Sequence, residues 1–291
     1  MMVVLRVKRD AQELFLLEAK LSESVDDVLE RIVAVHNGRL KIGRICDEMS
    51  DLAEHGISIG PERLGLLEEQ IQELNLGEDP EEERCQPSGG PGPSQKDPLG
   101  RRVGQPPNQE MKELLIKTAT QVRVKVSQEC LKNNAVLNWG VIKESLAILD
   151  GAVKIVYPMG LPEYDPIRME LQNCEDLTGT QASKEVIDPT QATLWFANKE
   201  MDRKNPLSSH LGQNEKTKVV VKLSTLGLGQ PTTESWLDAE TQKTLAAENF
   251  KRMEQLRKLA LDEDDSYMNS NWADGTALKK KFNGLENISW K

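Results

Sequence analysis

Ala152-Val153-Lys154-Ile155-Val156-Tyr157, followed by Pro158-Met159-Gly160-Leu161-Pro162-Glu163-Tyr164-Asp165-Pro166, is the stretch whose reading decides the fold. Its first six residues are β-branched, aromatic or apolar apart from one lysine, the pattern of a well-buried strand that Pro158 ends. Pro158, Pro162, Pro166 and Gly160 then turn the chain repeatedly around Met159 and Leu161. This combination predicts a rigid loop that keeps apolar surface in need of cover. Beyond it, Ile167-Arg168-Met169-Glu170-Leu171 alternates like a second strand, so the region reads as strand, turn, strand. Loops stiffened by proline bind with little ordering entropy to lose. Tyr157, Met159, Leu161, Tyr164, Asp165 and Arg168 are therefore the candidate protein-binding residues. Asp165 and Arg168 also fit a turn-stabilising pair.

Upstream, a helix is expected from about Gln109 to Leu131 and a second from about Asn138 to Asp150, with Gly151 as its break. Downstream, Glu175 to Ala182 is polar and turn-rich, and Pro189 opens an expected helix that ends near Pro206. Lys218 to Leu223 alternates as an edge or half-exposed strand. A charged helix from about Asp238 to Leu261 carries the narrow seam Leu245, Phe250, Met253, Leu256, which suits either a coiled-coil partner or its own domain. The tail, with Trp272, Phe282, Leu285, Ile288 and Trp290, is apolar enough to dock.

At the other end, Val3, Leu5 and Val7 alternate with polar neighbours and Leu14 to Leu17 supply a partner strand, so the first twenty residues predict a β-hairpin. Ser24 caps a helix with Asp27 three residues on, Val25, Val28, Leu29, Ile32 and Val33 form its stripe, and Asn37-Gly38 reads as its stop. Hairpin then amphipathic helix is how a ubiquitin-like β-grasp domain begins, and the Lys218 strand is the candidate to complete that sheet. A further helix over Ile42 to Ala53 ends at Gly56, and a short one opens at Pro61. The fold class is thus α+β and helix-rich: a β-grasp-type start, a central mixed region, and a long C-terminal helix with a docked tail.

Residues 77–108 hold seven of the 14 prolines and six of the 20 glycines, after an acidic cluster from Glu78 to Glu83. This composition reads as a mobile linker, although Asp97 to Arg102 is less repetitive and could dock. The domain layout follows as 1–76, linker 77–108, 109–230, and 231–291.

The 291 residues carry 47 acidic and 37 basic side chains, a formal charge of −10, which argues against a nucleic-acid groove as the main surface. The Lys279-Lys280-Lys281 run is a solvated face. No stretch approaches the ~20 apolar residues of a membrane span, and no secretion signal is visible. Cys46, Cys85, Cys130 and Cys174 form no C-x-x-C pair, which suits reduced thiols in a cytosolic protein. There is no phosphate loop and no G-x-S-x-G elbow, and Gly227-Leu228-Gly229-Gln230-Pro231-Thr232 is a turn rather than a dinucleotide fingerprint. With only His36, His55 and His210 as imidazoles, a nucleophile has few bases. No enzyme, cofactor or metal site is expected.

The words V-Y-P-M-G-L-P-E-Y-D-P-I-R-M-E-L (Val156 to Leu171) and E-D-L-T-G-T-Q-A (Glu175 to Ala182) resemble the Kurly family of cilia- and flagella-associated proteins. H-N-G-R-L-K (His36 to Lys41), D-E-M-S-D-L-A-E-H-G-I (Asp47 to Ile57), G-R-R-V-G-Q-P-P-N (Gly100 to Asn108) and N-W-A-D-G-T-A-L-K (Asn271 to Lys279) extend the likeness over nearly the whole chain. The resemblance implies a non-enzymatic factor for motile cilia, which acts in the cytoplasm and at the cilium base in preassembly of outer axonemal dynein arms. It implies dynein arm assembly factors and axonemal dynein subunits as partners, and a link to cilium positioning and planar polarity through Dishevelled-type proteins. A stable structural component of the axoneme is the alternative.

Overall fold

The fold was read from a computed structural model that describes residues 2–10, 12–66, 70, 73–74, 80–127, 134–212, 214, 218–227, 229, 231 and 239–261. Contacts divide the chain into two units, 1–232 and 233–291.

The first unit is built on a mixed sheet whose strands lie in the order β2 (Gln12–Lys20), β1 (Met2–Arg9), β5 (Lys218–Thr225), β3 (Ala192–Phe196), β4 (Lys199–Glu200). Strands β1 (Met2–Arg9) and β2 (Gln12–Lys20) form the expected hairpin, with Leu5 opposite Leu17 and a bulge between Val7 and Lys8. β5 (Lys218–Thr225) lies parallel to β1, Val4 opposite Lys218 and Lys8 opposite Lys222, so the Lys218 strand does join the hairpin's sheet, but as its central strand paired on both sides and not at an edge. The parallel central pair and a helix across one face give the β-grasp arrangement. Val3, Leu5 and Val7 of β1 and Val219, Val221 and Leu223 of β5 point inward and are buried. Removing one such side chain to Ala costs about 2–5 kcal/mol.

Helix α1 (Val25–His55) starts where expected, with the Ser24 hydroxyl accepting from the Asp27 N–H at 3.1 Å. Asn37-Gly38 does not stop it. The Asn37 side chain exchanges hydrogen bonds with the backbone of Ile187 at 2.8 and 3.1 Å. Gly38 lies where another helix crosses, and a Cβ there would stand 2.6 Å from Ile142 Cγ2. Both residues serve tertiary contacts, so the two helices expected over this region are one. It ends at Gly56, whose φ of +77° disfavours other residues and whose added Cβ would meet the Gln105 carbonyl at 2.1 Å. The N-terminal half of α1 covers the sheet. Its C-terminal half joins a helical layer of α3 (Gln109–Val126), α4 (Trp139–Val156) and α5 (Pro166–Gln172), with a single turn, α2 (Pro80–Arg84), before them.

Three expectations are corrected. Ala152 to Tyr157 is not a strand but the end of α4, because Ile142, Ser145, Leu149, Ala152, Val153 and Val156 recur at three and four and are all buried. Gly151 therefore sits inside the helix. Ile167 to Leu171 is also helical, because Asp165 caps it and Pro166 occupies its first turn. After the short α6 (Gln181–Glu185), the expected helix over 189–206 is instead β3 (Ala192–Phe196) and β4 (Lys199–Glu200). Ala197 and Asn198 turn between them with φ of 47° and 64°, the two-residue hairpin geometry. The single turn α7 (Leu207–Leu211) leads to β5.

The expected linker is packed into the first unit. Cys85, Asp97 and Arg102 are buried, and backbone bonds join Val103 to Ile57, Ile59 to Arg101 and Gly104 to His55 at 2.8–3.0 Å. The docked alternative for Asp97 to Arg102 is the one observed, so 1–76 and 109–230 share one body. At Pro61, residues 61–65 form turns, and Leu64 and Leu74 are exposed; Leu67 and Ile71 of that expected helix lie outside the described residues. So does the apolar tail. Helix α8 (Ala239–Leu261) matches its expectation.

Candidate protein-docking face

Tyr157 caps α4 by donating its N–H to the Val153 carbonyl at 2.7 Å, and Gly160, with φ of +84°, closes the next turn on the Tyr157 carbonyl at 2.9 Å. The loop that follows splits the six candidate residues. Tyr157, Leu161 and Asp165 are 1, 3 and 0 % exposed, so they cannot be presented to a partner. This corrects their assignment as binding residues. The two apolar bodies drop into the core that the prolines leave open.

Asp165 is a fastener. Its Oδ1 accepts from the Ile167 N–H at 3.0 Å, the N-cap bond of α5. Its Oδ2 accepts from the Ser58 N–H at 3.3 Å and hydroxyl at 3.1 Å, and lies 3.7 Å from Arg102 Nη1. Arg102 also donates to the Gly56 carbonyl at 2.8 Å and to Glu48 at 2.6 Å. Carboxylate and guanidinium together tie the end of α1, the 97–102 turn and the start of α5. Arg168 does not pair with Asp165; it donates to the Leu161 carbonyl at 2.7 Å and reaches Glu163 at 3.3 Å. Arg44 holds α5 on α1 by two bonds to Glu170, at 2.5 and 3.0 Å.

Met159 remains outward, 66 % exposed, with Tyr164 and Arg168 half-buried beside it in sequence. On α4, Ile148 and Ile155 are exposed seven residues apart, and so lie on one line of the helix, which ends at Val156, three residues before Met159. On the opposite side of the helix from Ile148 and Ile155, a groove of about 450 Å³ opens between α4 and α5, floored by Leu146, Val153, Leu161 and Leu171 and edged by Arg168 and the Asp150–Lys154 ion pair. Large exposed apolar residues, and an apolar groove with a charged edge, suit protein docking. Ile155 and Leu171 are not singled out as surface in the sequence, because a strand reading of 152–157 and 167–171 puts these side chains on the wrong faces; Leu146 reads there as a buried residue of the 138–150 helix and is half-buried.

Burial pushes the Cys46 thiol up to about 11 and raises Cys85 as well, so neither is a thiolate at neutral pH. Burial, with Arg9 and Arg39 nearby, holds His36 down at about 4, far from the range of a general base at pH 7. Burial, with Asp165 close by, raises the Tyr157 phenol. Among the described residues no group of three or more His, Cys, Asp or Glu side chains is placed to hold a metal ion. No described helix is long and apolar enough to cross a membrane.

The family model for cilia- and flagella-associated protein 298 matches residues 192–288. Curated relatives of that name align along the full chain: 46% identity over 290 residues with the Drosophila melanogaster protein, covering 100% of this chain and 99% of the relative. The Mus musculus protein is 47% and the Homo sapiens protein 46% identical over the same coverage. The chain belongs to this family. Kurly is another name for it, so the resemblance read from the sequence is the correct one. Membership of the cilia- and flagella-associated protein 298 family gives the chain a role in cilia. No solved structure matches it.

Proposed function

We propose that this protein is a non-enzymatic factor that acts in the cytoplasm and at the cilium base to preassemble outer axonemal dynein arms, using the apolar surface of α4 and the loop after it to hold a dynein subunit or another assembly factor. The observation that carries the reading is the exposure of Ile148, Ile155 and Met159, with the Leu146–Leu171 groove on the other side of the helix, in a member of a cilium-associated family. Exposed apolar surface of this kind is a liability unless a partner covers it. A role in cilium positioning and planar polarity through Dishevelled-type partners belongs to the same reading.

Replacing Ile155 and Met159 by Asp tests it in ciliated cells that lack the endogenous protein. The expected result is a soluble, folded variant that recovers outer-arm dynein heavy chain from the cytoplasm at least about fivefold less well, with cilia short of outer arms. Because both side chains are more than half exposed, the thermal midpoint should stay within the range of ordinary surface substitutions. Normal outer arms with the double variant would overturn the assignment of this face. Retention of the wild-type protein in detergent-extracted axonemes at stoichiometric amounts, with no cytoplasmic pool, would overturn the assembly role.

A further inference from the structure

Helix α8 (Ala239–Leu261) is the described part of the second unit. From Lys243 to Arg257 every side chain is exposed, and Leu245, Phe250, Met253 and Leu256 are among them. Four large apolar side chains exposed within about three turns mark an interaction surface. At about 100° per residue, Leu245, Leu256 and Met253 share one side of the helix and Phe250 stands about 60° further round. That arc is wider than the a and d seam of a two-stranded coiled coil. It fits a groove that closes around the helix better than a single partner helix laid along it.

Charge borders the arc on both sides. On the same helical spacing Arg252 stands next to Leu245 at one border, and Arg257 and Lys243 flank Phe250 at the other. Glu248 and Glu254 lie one step further round than these cations, and Lys251 is on the back. Among the described residues none makes a hydrogen bond or ion pair with Lys243, Lys251, Arg252 or Arg257. Four cations and two carboxylates give the stretch from Lys243 to Arg257 a charge of +2, on a chain whose net charge is −10. Cations along both borders of an apolar arc are complementary to an apolar groove with carboxylates on both rims. Asn249 falls on the arc between Leu256 and Met253, where hydrocarbon would leave its carboxamide without a partner. The run Asp262-Glu263-Asp264-Asp265 next in the sequence is repelled by an anionic lipid surface. Both observations favour a protein groove over a membrane. The acidic run also sets a limit on the partner, whose carboxylate rims must stop before the end of the helix.

We propose that Lys243 to Arg257 of α8 is a recognition helix for a partner protein of the calcium-sensor type, whose calcium-bound form opens an apolar groove in an acidic surface. Phe250, Met253 and Leu256 seat in the groove, and Arg252 and Arg257 meet its two rims. The contact forms with calcium and releases without it. It uses none of the residues of the α4 surface, so either assignment can fail alone.

Isothermal titration of the full chain with calmodulin, a sensor of this class, tests the proposal in calcium and in EGTA. One sensor should bind per chain with a Kd of about 1 μM or tighter in calcium, and at least about a hundredfold more weakly in EGTA. Phe250→Ser with Met253→Ser, and separately Arg252→Glu with Arg257→Glu, should each weaken binding at least about tenfold. All four side chains are exposed, so both variants should fold, and circular dichroism checks that the helix remains. The absence of a complex at about 100 μM sensor with calcium would sink the proposal, as would equal affinity in the charge-reversed variant or in EGTA. Co-sedimentation with phosphatidylserine vesicles that needs Phe250 and Met253 would assign the helix to a membrane surface instead and overturn it.

Discussion

Residues 85–107 carry few apolar side chains and lie fixed against α1, whereas α8 carries Leu245, Phe250, Met253 and Leu256 along one side and exposes all of them by 42–71 %. In the first region the single leucine, Leu99, is 69 % exposed, while Asp97 and Arg102 are 8 and 5 % exposed. Besides Cys85, Pro106 and Pro107, polar groups are what that segment buries. Burial pushes the Asp97 carboxyl up, but N–H groups of Leu99, Arg101 and Arg102, at 2.7–3.0 Å, outweigh it and hold the group below its usual range. Arg102 is answered by Glu48, the Gly56 carbonyl and Asp165. In α8 every described side chain from Lys243 to Arg257 is exposed. Order follows satisfied hydrogen bonds in one case, and an apolar seam alone produces no burial in the other.

The strongest way to break that comparison is to remove one member of the buried pair. Arg102→Ala leaves Asp165 buried without its cation and should cost about 3–5 kcal/mol in denaturant unfolding. It should also make 85–107 the first site of limited proteolysis. A loss below about 1 kcal/mol would return the segment to the status of a linker. A buried polar group can also be probed by pH. The folded His36 imidazole titrates near 4 and the unfolded one near 6.5, so between those values the unfolded chain binds the extra proton. Its contribution is complete above pH 6.5 and shrinks as pH falls. Stability should drop by about 2 kcal/mol from pH 7 to pH 5, and this part of the drop should vanish in His36→Gln. The smallest effect belongs to the exposed seam: Phe250→Ser with Met253→Ser should change the unfolding free energy by less than about 0.5 kcal/mol. A loss of several kcal/mol would place those side chains in a core.

Local signals carried three of the five strands. Alternation marked β1 and β5, an apolar run marked β2, Ser24 marked the start of α1, and Gly56 its end. Misreadings came where a residue's tertiary duty imitated a local one. Asn37 and Gly38 look like a helix stop because the same small, polar residues that end helices also allow a close crossing and a bond to Ile187. Val153 to Tyr157 looks like a strand because short apolar runs satisfy both periods, and only the continuation back to Ile142 decides. Within the docking face, Met159 was visible as an apolar residue between prolines. Asp165 was not visible as buried, because its partners Ser58 and Arg102 are distant in sequence.

The parallel pairing of β1 with β5 has a consequence for synthesis. Val4 finds its neighbour Lys218 only after most of the chain has left the ribosome. At about 5–20 residues per second that delay is roughly 10–40 s. Throughout it, β1 carries an open edge of unpaired backbone groups, the template on which foreign strands add. Nascent chains, and products of premature stop codons ahead of residue 218, should therefore be the aggregating species and the natural clients of holding chaperones.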